Sequence, residues 1–161
     1  MRLFILFLVS ISTPLAWSDS NIKLLEGVEW KADCSKMASE SPASGKKVSI
    51  KRIRSTYMLS GDELTWKVQS FSDDKCKTIN EENRYKLKCS FADSDEYANC
   101  EQTKWEFSKN QKDWQSKPLV DFTGNSNILK LRVRAVELKN KNIQLTTLAE
   151  GEEPSVEVLS K

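Results

Sequence analysis

Apolar and polar residues alternate along most of this chain in short bursts separated by turn residues. That period of two constrains the fold more than any other feature. A β-strand points successive side chains to opposite faces, so the pattern marks strands with one face inside and one outside. Leu64, Trp66 and Val68 share one face while Thr65, Lys67 and Gln69 share the other. Tyr85, Leu87, Cys89 and Phe91 form another set, as do Thr103, Trp105 and Phe107. Leu129, Leu131, Val133 and Ala135 alternate with Lys130, Arg132 and Arg134, and Ile143, Leu145 and Thr147 follow. Near the start, Val28, Trp30, Ala32 and Cys34 line one face of a first strand, and Val48 to Tyr57 is a second. Turns fall at Ser60-Gly61-Asp62, Asn110-Gln111-Lys112, Gly124-Asn125 and Asn140-Lys141-Asn142. Ser35 to Lys46, with Pro42 and Gly45, reads as a linker, and Pro118 makes its neighbourhood irregular or an edge. Helix is limited to one turn at Asn21 to Leu25. About eight strands without crossover helices mean an antiparallel barrel or sandwich. Closure removes exposed edges, which favours an up-and-down barrel. The end, Glu150 to Lys161, is either an added strand or a loose tail.

The first residues address the chain. Arg2 precedes the apolar run Leu3 to Ile11, and Ala16-Trp17-Ser18 offers small residues at a cleavage position. This reads as a signal peptide over residues 1–18, leaving 19–161 as one domain that is periplasmic or secreted. The run is shorter than the roughly 20 residues of a spanning helix, so no membrane span is expected. Lys and Arg number 25 against 23 Asp and Glu, a net charge of +2 that gives nucleic acid little to bind. The chain has no histidine, which removes Ser-His-Asp and Cys-His catalysis and most zinc-enzyme sites. A non-enzymatic protein, without metal or cofactor and monomeric, is the expectation.

Four cysteines, Cys34, Cys76, Cys89 and Cys100, contain no CxxC pair. In an oxidising compartment they form two disulfides, and three pairings are open. Cys34–Cys76 with Cys89–Cys100 is preferred: the second closes a short loop, and the first ties the start of the domain to its middle. One conflict stands, because Cys100 has the opposite parity to Trp105 and Phe107. A bulge, a loop position for Cys100 or another pairing resolves it.

Leu25-Glu26-Gly27-Val28-Glu29-Trp30 followed by Cys34 resembles the opening of lipocalins and related calycin barrels, with Gly27-x-x-Trp30 one residue longer than the family's Gly-x-Trp. Trp30-x-x-x-Cys34, Trp66 and Phe71-x-Asp73-x-x-Cys76 also resemble the lipocalin-like module of a secreted Wnt-antagonist family and similar secreted bacterial proteins. The resemblance covers residues 25 to 76. It implies a lipocalin-like barrel that binds rather than catalyses. It also implies that Trp30 plugs one end, with Arg132 or Arg134 over its ring.

The candidate ligand-binding residues are Trp66, Tyr85 and Trp105, which would line the interior, and Arg52 and Arg54. The two arginines share parity with Val48 and Ile50. They would then line an open mouth and orient a polar head group, since guanidinium binds carboxylates bidentately; alternatively, a bulge turns Ile53 and Tyr57 inward instead. The expected ligand is a small apolar or amphipathic molecule. The alternative is a protein-binding module with a filled barrel, such as an inhibitor or recognition domain, that meets an extracytoplasmic protein through its loops. Asp93-Ser94-Asp95-Glu96 lacks the glycine and remaining ligands of a calcium loop and reads as a solvated tip.

Overall fold

A computed structural model describes residues 22–39, 49–90, 96–119 and 128–161. The expected signal peptide, Asp93 to Asp95 of the expected acidic tip and the Gly124-Asn125 turn lie outside the described residues. A 3-10 turn, Ile22–Leu25, precedes ten strands: β1 Trp30–Ala32, β2 Ser35–Ser39, β3 Ser49–Ser60, β4 Glu63–Phe71 and β5 Ile79–Ser90, then β6 Ala98–Ser108, β7 Gln115–Ser116, β8 Lys130–Glu137, β9 Ile143–Ala149 and β10 Ser155–Ser160. Every strand pairing is antiparallel, and β1 pairs with both β10 and β3. The path therefore returns to its start as a closed, eight-stranded up-and-down barrel, with β2 and β7 as short additions on β3 and β6. Ser35 to Ser39, expected as linker, are strand: they continue β1 along β3 after a one-residue shift in register. The end of the chain is the added strand, β10, which closes the barrel.

The two disulfides join Cys34 to Cys76 and Cys89 to Cys100, with Cα atoms 6.3 and 4.0 Å apart. The parity conflict at Cys100 resolves as a bulge. Leu87 pairs with Gln102 and Lys86 with Lys104, which leaves Thr103 as the extra residue. The strand therefore changes face between Cys100 and Trp105, and both point inward.

One end of the barrel is closed by apolar packing. Leu25, Leu59, Leu64, Leu87 and Leu159 are at most 1 % exposed, together with Ile143 and Leu145. Each such side chain contributes up to about 1.5–3 kcal/mol by leaving water. Gly27 makes the plug possible: its φ of 64° turns the chain from the 3-10 segment into β1. Its N–H donates to the Leu59 carbonyl at 2.9 Å, and Gly61 N–H donates to the Glu26 carboxylate at 3.0 Å. Trp30 is buried at this end, but neither expected arginine covers it. Lys161 Nζ lies 5.0 Å from its ring centroid, while Arg132 and Arg134 lie over Tyr97. Strand register is the reason: Lys161 follows β10, which pairs directly with β1, whereas the side chains of Arg132 and Arg134 alternate with the inward Leu131, Val133 and Ala135.

Candidate functional site: an aromatic row inside the barrel

Above the apolar plug, the pairing register places Tyr57, Trp66, Tyr85 and Trp105 side by side across β3, β4, β5 and β6. All four share the inward face with the buried Leu59, Leu64 and Leu87. Their rings form a continuous row. Tyr57 and Trp66 are 6.0 Å apart and nearly parallel, Trp66 and Tyr85 are 4.9 Å apart, and Tyr85 and Trp105 are 5.8 Å apart. Trp105 Nε1 donates to Asn83 Oδ1 at 3.0 Å, which fixes the last ring.

Burial along the inward face changes with height. Leu59, Leu64 and Leu87 exclude solvent, whereas Trp66, Tyr85 and Trp105 are only partly buried, and so are Val68, Asn83 and Phe107 one row further on. The inward face is thus sealed at the plugged end and less buried towards the other.

Two polar groups meet the row. Tyr57 Oη donates to Glu157 Oε2 at 2.6 Å, from β3 to the inward side of β10. Burial, then the negative charge of Glu157, pushes the Tyr57 phenol well above its ordinary range, so it remains a donor at neutral pH. Burial also raises the Tyr85 phenol.

Of the residues named from the sequence, Trp66, Tyr85 and Trp105 are thus brought together. Arg52 and Arg54 are placed apart from them, on the outer face of β3. Their side chains alternate with the inward Ile53, Ser55 and Tyr57, so it is Tyr57 that faces the lumen. Arg52 pairs with Asp74 at 3.1 Å, and Arg54 lies 5.4 Å over the Phe71 ring. Both therefore hold the segment that leads to Cys76. Asp73 organises the same segment by accepting from the backbone N–H groups of Thr78, Lys77 and Lys75. These donors, Thr78 first, hold its carboxyl below the usual range. Cys76 itself takes a φ of 51° to meet Cys34. The Phe71-x-Asp73-x-x-Cys76 spacing is thus a structural clasp. Tyr57 and Glu157 were not named as site residues from the sequence. Tyr57 faces inward with Ile53, as in the alternative to the arginines, but without a bulge in β3; nothing local marks Glu157.

A concavity of about 1060 Å³ lies on the outside of the wall. Outward rows Lys88–Glu101–Lys130 and Asn99–Arg132–Leu148 form its floor, with Leu119 and Ile128 over them. None of Arg52, Arg54, Trp66, Tyr85 or Trp105 lines it.

Fold and site together define a closed, eight-stranded up-and-down β-barrel, stapled by two disulfides, with a row of aromatic rings on its inward face. No family model matches the chain, and no similar curated protein or solved structure was found. Among the described residues no cluster of His, Cys, Asp or Glu is arranged to hold a metal ion, and no helix is long and apolar enough to cross a membrane.

Proposed function

We propose that this chain is an exported, non-enzymatic binding protein of lipocalin-like type that holds a small apolar or amphipathic molecule in its barrel. The observation that carries the reading is the burial gradient. Large aromatic faces are left partly exposed inside a closed wall, where only a molecule narrow enough to enter can cover them. The opening motif around Gly27 and Trp30, the absence of histidine and the two disulfides support it, the last because such staples suit an oxidising compartment. Equilibrium dialysis of the oxidised protein against a labelled C12 alcohol tests it. One saturable site per chain is expected, weakened by Trp105→Ala; no saturable uptake would count against it.

The outer concavity favours a second reading, a recognition module that takes apolar side chains of an extracytoplasmic protein beside the Cys89–Cys100 pair. In that case partner capture is lost in Ile128→Asp and unchanged in Trp105→Ala. The opposite pattern supports the lumen.

A further inference from the structure

We propose that the lumen prefers cations: its ligand is an amphipath bearing an ammonium-type head group, seated between the Glu157 carboxylate and the aromatic row. This rests on the reading of the lumen as a ligand site and adds the chemistry of the head group.

The charge inventory of the inner face carries the inference. Alternation places Glu157 inward, between Ser155 and the fully buried Leu159, opposite Leu145 of β9. It is the carboxylate at the height of the aromatic row, tied to it through Tyr57 Oη. Among the described residues, the other charged groups at inward positions are at the barrel's ends, including the exposed Glu137 that ends β8 opposite Ile143. Lys51 and Glu81 pair with each other at 3.6 Å beyond Ile53 and Ser70, and Lys161 sits over Trp30 at the plugged end. Every arginine among the described residues lies outside the lumen. Arg52 and Arg54 hold the segment before Cys76, and Arg84 is on Glu82 and Trp114. Arg132 and Arg134 pack on Tyr97. An anionic head group would therefore meet a carboxylate and no guanidinium.

The aromatic row points the same way. Indole and phenol rings present negative faces, and a cation within about 6 Å of a ring centroid gains roughly 0.5–2 kcal/mol. The Tyr57 ring lies between Glu157 and Trp66, so a head group beside the carboxylate is also beside π-faces. Because Tyr57 stays protonated, it orients the carboxylate and adds no second charge.

Three matched probes test this by tryptophan fluorescence, each below its aggregation concentration: decyltrimethylammonium, decanol and decanoate. The ammonium is expected to bind roughly tenfold more tightly than decanol, and decanoate more weakly than decanol. Glu157→Gln, whose amide oxygen still accepts from Tyr57, should shrink the ammonium's advantage over decanol to the part that the rings supply. Decanoate binding most tightly, or an unchanged ammonium preference in E157Q, would overturn the proposal. Saturable decanol binding without an ammonium advantage overturns the head-group inference alone; no saturable response to any probe overturns the lumen site itself. The wild-type ranking is decisive even if the variant folds poorly.

Discussion

Glu82 is the place to test whether polar groups outside the lumen hold the wall together. Its side chain is 3 % exposed on the outer face of β5. It accepts from Gln69 Nε2 at 2.8 Å on β4, from Gln111 Nε2 at 2.9 Å beyond β6, and from Arg84 at 3.1 Å. Burial alone would raise this carboxyl, but the Gln69, Gln111 and Arg84 donors outweigh it and hold it below 4.5. Breaking a wholly buried ion pair costs about 3–5 kcal/mol. Arg84 is 30 % exposed and can rehydrate, so Glu82→Ala should cost less, about 2–3 kcal/mol. Urea unfolding of the oxidised protein measures it, with Glu81→Ala as the reference. Glu81 pairs with Lys51 at 3.6 Å near solvent, an interaction of about 0–1 kcal/mol. The pH dependence has a definite sign. Because the folded carboxyl titrates lower than the unfolded one, the Glu82 contribution is fully present above the unfolded value near 4.5. It is lost as pH falls through the folded value. Glu82→Gln should remove that acid-side component while leaving an acceptor for Gln69. Equal losses in E82A and E81A, or a pH profile unchanged in E82Q, would refute the reasoning.

Other outcomes follow from the same geometry. Replacing Cys34 and Cys76 by serine should cost about 4 kcal/mol and replacing Cys89 and Cys100 about 3, because the bridged residues are 42 and 11 positions apart and the longer loop gains more unfolded-state freedom; urea midpoints check the order. Leu59→Ala, at a fully buried position of the plug, should lower stability by about 2–5 kcal/mol, whereas Val68→Ala, on the accessible part of the inner face, should lose clearly less in a thermal melt. Gly61 has a φ of 62° with nothing within 4 Å of an added Cβ, so Gly61→Ala should cost about 1 kcal/mol from backbone conformation alone, and Gly61→Asn less.

Much of the barrel was legible because alternation is a local property. Leu64, Trp66 and Val68, or Leu131, Val133 and Ala135, declare their faces without reference to any other strand. The bulge at Thr103 was visible as a contradiction, since Cys100 and Trp105 cannot both face inward on a regular strand. Arg52 and Arg54 were harder, since the pattern of β3 depends on which apolar residues anchor it. Val48 and Ile50 suggest one parity, whereas Tyr57 and Leu59, packed at 4 % and 0 % exposure, set the other. Glu157 was illegible for a different reason. Its partner Tyr57 is 100 residues away, so only closure of the barrel by β10 brings the two together. Lys161 reaches Trp30 through that same closure, a long-range pairing that a tail of mixed polarity does not announce.

The central claim is an accessible lumen at the Trp66–Tyr85–Trp105 row. It is tested most directly by titrating the oxidised protein with a bromine-labelled C12 alcohol and following tryptophan emission, since bromine quenches only rings it touches. Trp114 lies outside the barrel beside Arg84 and serves as the control. The account predicts saturable quenching that persists in Trp114→Phe and disappears in the Trp66→Phe, Trp105→Phe double variant. Quenching that is lost in Trp114→Phe and retained in the double variant would contradict it.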